Sequence, residues 1–173
     1  MTWSDPLAAG PVRLRRLAMA EVPAVVAYRR LPEVARYQGW GVVDPGEIER
    51  DLQAMTAREP CDAPGPWFQL AIERAADGAL VGDLGVRLVD AASAEIGYTI
   101  APAHQRQGLA TAAVDGICHW LLGPRRLARV IAVMEGQNTA SLRVAERAGF
   151  TRISCIETRH RGEPGLLLTY ERR

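Results

Sequence analysis

The sequence contains no lysine: its 21 Lys+Arg residues are all arginines. That excludes a Schiff-base lysine and the lysine that a phosphate-binding P-loop requires. Cysteine is scarce as well. Cys61, Cys118 and Cys155 are odd in number and show no CxxC or zinc-type spacing, so they read as reduced thiols of a cytoplasmic protein. His104, His119 and His160 have no metal-ligand spacing either, and no metal is expected. Neither charge sign dominates. A net charge of +1 gives no basic field for a polyphosphate chain, so nucleic acid is not an expected partner. The apolar runs are far too short to span a bilayer, and MTWSDPLAAG is neither basic nor a long apolar run, so neither membrane nor signal peptide is expected. The dinucleotide pattern GxGxxG and the pattern GxxxxGK[ST] are both absent.

What is present is a soluble composition, 48% hydrophobic and 24% charged over 173 residues, which fits a single domain over 1–173 with residues 1–10 as a loose lead-in. Val12–Leu17 alternates apolar residues with arginine, as a half-buried strand does. Pro23 opens a helix, and a second is marked by Asp44 as N-cap, Pro45 and Glu47, with Ile48, Leu52 and Met55 on one face. Strands follow at Trp67–Glu73 and Leu80–Val89, joined through Asp77-Gly78, then at Ala94–Ile100. Ala110, Val114, Ile117, Cys118 and Leu121 recur at helical spacing. Val130–Met134 reads as a strand buried on both faces, Asn138–Ala148 as a helix ended by Gly149, and Arg152–Glu157 and Leu166–Glu171 as the last strands. A strand–helix–strand unit around HQRQG requires a parallel pair; the rest can be antiparallel. The expected fold is α/β (α+β), one mixed, mostly antiparallel sheet with helices on both faces.

The segment His104–Thr111, HQRQGLAT, lies between a strand and a helix. Backbone N–H groups at a helix start have no intrahelical partner and attract anions. Gly108 lets the chain approach a phosphate closely, and Arg106 can offset its charge. Taken with AEIGYTIAP before it, and with Asn138-x-x-Ser141 and ERAGF after it, Gln105-x-x-Gly108-x-Ala110 resembles the GNAT superfamily of N-acetyltransferases over nearly the whole chain. RLRRL and ARYQGW resemble its ribosomal-protein N-terminal (Rim-type) branch.

The resemblance implies an acetyl-CoA arm lying between two splayed parallel strands. Backbone groups at Tyr98 and Ile100 would hold the pantetheine, and Gln105, Arg106, Gln107, Gly108, Leu109, Ala110 and Thr111 the pyrophosphate. The run from Glu95 to Ala101 spans about 20 Å as a strand, comparable to that arm. Glu95 stands where many GNAT enzymes carry a general base; the other reading is an exposed or ion-paired carboxylate. The tyrosine that many of them use as acid falls at Ala145, which leaves Ser141 as hydrogen-bond donor to the departing sulfur, or simply as a residue of the first helical turn. Asn138 either caps its helix, contacts the cofactor, or does both. Tyr98 faces the site or packs with its hydroxyl satisfied. Tyr37, Gln38 and Trp40 would line the acceptor pocket, unless Trp40 only anchors a loop. Cys118 and His119 are adjacent on a helix and do not face each other, so no Cys/His nucleophile is expected. The implied activity is direct acetyl transfer to a primary amine, a small amine or a peptide or protein N-terminus, by a monomer or homodimer. The competing reading is a non-catalytic acyl-CoA-binding regulatory protein of the same fold.

Overall fold

The computed structural model describes residues 6–37, 45–57, 63–160 and 162–173. Its strands are β1 (Leu7–Ala9), β2 (Val12–Arg16), β3 (Phe68–Arg74), β4 (Leu80–Leu88), β5 (Ser93–Ile100), β6 (Arg129–Glu135), β7 (Thr151–His160) and β8 (Glu163–Arg172). Its helices are α1 (Val22–Arg29), α2 (Pro32–Ala35), α3 (Pro45–Thr56), α4 (Leu109–Leu122) and α5 (Thr139–Arg147). The strands form one eight-stranded sheet in the order β1-β2-β3-β4-β5-β6-β8-β7. Its neighbours pair antiparallel, except β5 and β6, which run parallel across the α4 crossover. The mixed, mostly antiparallel sheet expected from the sequence is therefore present.

Strand alternation divides the sheet into two faces. Leu70, Leu84, Ile96, Val130 and Tyr170 face α4, whose Ala113, Val114, Ile117 and Leu121 complete the larger core. On the opposite face Ala71 meets Val22, Val25 and Val26 of α1 and Ile48 and Leu52 of α3. Where α1 crosses the sheet, buried Asp83 of β4 accepts hydrogen bonds from Tyr28 Oη (2.5 Å), Gln69 Nε2 (2.6 Å) and the Arg29 guanidinium. An ionised carboxylate in the interior is tolerated when its lone pairs find donors, and here they do.

Four local expectations change. Part of the lead-in is the strand β1: Gly10 turns in the left-handed region (φ +59°) and folds Ala9 back against Val12. There Gly116 of α4 packs on β1 so closely that a Cβ would lie 2.4 Å from the Ala9 Cβ. The strand β6 is buried on one face only, with Val130, Ala132 and Met134 inside and Val133 40% exposed. The reason is that the helices of the second face pack over β3 and its neighbours and make few contacts with β6. The last two strands extend further than their apolar pattern, each running ten residues as arms of one hairpin. A short helix, α2, also precedes α3. The expected N-cap Asp44 lies outside the described residues.

Candidate active site

The parallel pair β5–β6 is in register over only four positions, Ser93↔Arg129 to Ile96↔Ala132. Beyond Ile96 the strands part, and β5 continues to Ile100 bonded to β4 alone. The Ala101 N–H donates to Val81 O and the Val89 N–H to Ser93 O, so the odd-numbered residues of β5 bond to β4. The backbone groups of Tyr98 and Ile100 consequently turn toward the gap. The Ile100 carbonyl accepts a hydrogen bond from Gln105 Nε2 (3.0 Å), which ties the following loop to the strand end.

That loop carries two left-handed residues, Arg106 (φ 62°) and Gly108 (φ 77°). For arginine this conformation costs about 1 kcal/mol or more, a strain usually held at functional sites. At Gly108 an added Cβ would meet no protein atom within 4 Å. The glycine is therefore required for its backbone angle, and the space in front of it stays open. Gly108 is the N-cap of α4 and offers no side-chain cap, so the first-turn amides of Leu109, Ala110 and Thr111 face outward without one. The start of α5 differs, because there Asn138 Oδ1 accepts the Ser141 N–H at 3.2 Å. The capping role of Asn138 is thus filled.

A cleft of about 610 Å³ joins these parts. It is lined by Tyr98, Thr99 and Ile100, by His104, Gln105, Arg106, Gly108, Leu109, Ala110 and Thr111, and by Asn138, Ser141, Arg143 and Arg147 of the α5 wall. Tyr37 and Glu33 also line it. Gln107, in the same loop, is exposed to solvent and does not line the cleft. The Tyr98 hydroxyl donates to the Ser141 carbonyl (3.0 Å), so it braces α5 against β5, and burial pushes its pKa well above the usual phenol value. Tyr37 also borders a second hollow of about 290 Å³, with Arg36, Glu135, Gln137, Glu163 and Leu166 around it. Gln38 and Trp40 lie outside the described residues.

Glu95 lies on the face opposite α4, beside Arg87 of β4, whose Nε and Nη2 both donate to its Oε2 (3.0 and 2.6 Å). Arg87 in turn stacks on Trp67 at 4.9 Å. Glu95 is opposite Ile131 in register, on the closed side of the gap. Cys118 is buried on the core side of α4, and burial pushes its thiol up to about 12. The Nδ1 of the neighbouring His119 contacts the Asp115 carbonyl oxygen (2.9 Å) on the exposed side. Among the described residues no three His, Cys, Asp or Glu cluster as a metal site would require, and no helix is long and apolar enough to cross a membrane.

Arg143, Arg147 and Glu135 did not stand out in the linear sequence. The two arginines are four apart on an amphipathic helix, a spacing that puts them on one face, but nothing in the sequence says which wall that face lines. Glu135 is the carboxylate that ends an apolar strand, a signal just as easily read as a solvated strand end.

This combination of a parting parallel pair, a left-handed loop and an uncapped helix start defines a class, and the comparisons agree with it. A family model described as an acetyltransferase (GNAT) domain matches residues 12–151. The chain belongs to the GNAT acetyltransferase family, and the protein is an acyltransferase. It is 27% identical over 141 residues to the uncharacterised N-acetyltransferase YoaA of Bacillus subtilis (strain 168), covering 80% of this chain and 78% of that one. Its fold superposes on a GNAT-family acetyltransferase from Bacillus anthracis with a TM-score of 0.84, at 20% identity and 96% coverage of both chains. RimL, the ribosomal L7/L12 alpha-N-protein acetyltransferase solved in complex with coenzyme A, gives a TM-score of 0.81 at 19% identity, with 97% of both chains covered.

Proposed function

We propose that the protein is an acetyl-CoA-dependent N-acetyltransferase that passes the acetyl group directly to a primary amine, either a small amine or a peptide or protein N-terminus. The observation that carries this reading is the gap beyond Ile96, which opens into a cleft ending at the uncapped start of α4. The donor set fits acetyl-CoA along its length. Backbone groups at Tyr98 and Ile100 hold the amide-bearing arm, while Gln105, Arg106 and Gly108 of the loop and the amides of Leu109, Ala110 and Thr111 hold the pyrophosphate. Asn138 reaches the arm from the α5 wall. Bound there, acetyl-CoA supplies an acyl carbon activated by its thiol leaving group.

The acceptor enters from the face carrying Tyr37, through the hollow it shares with Glu135 and Glu163. The hollow's two carboxylates outnumber its one guanidinium, that of Arg36, which stacks on Tyr37 at 5.1 Å, and the net negative lining favours a cationic group such as an ammonium. An amine must lose its proton before it attacks, and a carboxylate on this face receives it, directly or through water. Glu95 and Glu135 both project from this face; Glu135 lines the hollow, whereas Glu95 is held by Arg87 beside the closed end of the gap. The Ser141 hydroxyl, on the cleft wall, donates to the departing sulfur. Direct transfer is supported by the placement of the two described cysteines: Cys118 is buried in the core with its thiol pushed up, and Cys155, exposed on β7, does not line the cleft. The fold shared with RimL supports a peptide N-terminus as one acceptor class.

The test has two parts. Acetyl-CoA binding is measured by calorimetry, and thiol release is then followed with a panel of amines and N-terminal peptides. Tight binding without thiol release on any acceptor would leave the non-catalytic acyl-CoA-binding reading in its place. For the proton acceptor, kcat of Glu95→Gln and Glu135→Gln is compared across pH. The variant that loses about a hundredfold at neutral pH, and recovers as the amine deprotonates unaided, identifies the base.

A further inference from the structure

Most arginines with a role in the fold are matched by carboxylates: Arg15 by Glu21, Arg29 by Asp83, Arg87 by Glu95 and Arg172 by Asp115. The cleft breaks this pattern. Arg106 on the loop and Arg143 and Arg147 on α5 all line it, and none has an ion-pair partner among the described residues. Arg143 and Arg147 lie one helical turn apart on the same wall, both exposed. Among the described residues that line the cleft, the one carboxylate is Glu33 of α2.

The positive charge exceeds what a pyrophosphate needs. The outward amides of α4, with Arg106 beside them, already match two phosphates. Two further guanidiniums, a turn apart on α5, line the same cleft and match in charge a doubly charged group with several acceptor oxygens. We propose that Arg143 and Arg147 recognise the 3′-phosphate of the acyl donor's nucleotide. The site then selects a free CoA thioester over acyl donors that end in phosphopantetheine without that nucleotide, such as an acyl group tethered to a carrier protein. This rests on the reading of the cleft as the acetyl-CoA site.

The experiment compares CoA with dephospho-CoA, which differs only in lacking the 3′-phosphate, by calorimetry on the full chain. Wild type binds CoA about 30-fold more tightly, as two charge-assisted pairs at an exposed site would give. In the double variant Arg143→Gln/Arg147→Gln, the preference falls to about threefold or less, dephospho-CoA affinity is retained, and CoA binding depends less steeply on salt. Both substitutions are on an exposed helix face, and a thermal melt checks that the variant folds. Equal binding of the two ligands by wild type overturns the inference. So does a double variant that weakens both by the same factor, since the arginines would then serve the pyrophosphate. If neither ligand binds wild type, the acetyl-CoA reading of the cleft fails and takes this inference with it.

Discussion

Asp83 accepts four hydrogen bonds, from Tyr28, from two nitrogens of Arg29 and from Gln69, and is 1% exposed. Removing one side of such a pair strands the other charge away from water. Asp83→Ala is therefore expected to lower unfolding free energy by about 3–5 kcal/mol, measured by urea denaturation. A loss below about 1 kcal/mol would mean that water enters to rescue Arg29. Nothing in the run Val81-Gly82-Asp83-Leu84 announces this role, because its partners come from residues 14 and more than 50 positions away. The pairing of Glu95 with Arg87 was equally hard to read, since it depends on the register of two strands. By contrast, the Asn138 cap closes within three residues, and that kind of contact is legible in a sequence.

Among elements, the turn from β5 into α4 concentrates the proposed acetyl-CoA site. Its type was visible as a single glycine between a strand and a helix, while the left-handed angle at Arg106 was not, because arginine does not announce that conformation. Gly108→Val is expected to weaken CoA binding by about tenfold or more while costing roughly 1–2 kcal/mol in stability, because a β-branched residue resists φ near +77°. Binding and melting measured on the same sample separate the two effects. Unchanged CoA affinity would remove the loop from the site. The order of strands and helices was legible because each carries its own period. The single-sided burial of β6 was not, because a run of apolar residues does not report where the opposing helices stop.

At the scale of the whole molecule, the first hairpin and α1 are tied to the sheet through Arg15, which bridges Glu21 (2.7 Å) and Glu73 (2.6 Å). Arg15 holds both carboxyls below the usual glutamate value of 4.5. Groups that bind protons less readily when folded stabilise the fold at neutral pH, and that contribution is lost as pH falls below the unfolded value. The melting temperature is expected to fall below about pH 4.5, and Arg15→Gln to flatten that part of the curve. Parallel curves for the two proteins would assign the acid limb elsewhere.

The parting of β5 and β6 also leaves a sheet whose hydrogen-bond ladder is complete on one side of a strand and interrupted on the other. A ligand lying in that gap takes the place of a missing strand, and amide hydrogen exchange reads the substitution directly. Along one short segment, protection should alternate. The amides of Gly97 and Thr99, turned toward β4, should exchange slowly with or without CoA, while that of Tyr98, turned toward the gap, should exchange quickly until the ligand arrives.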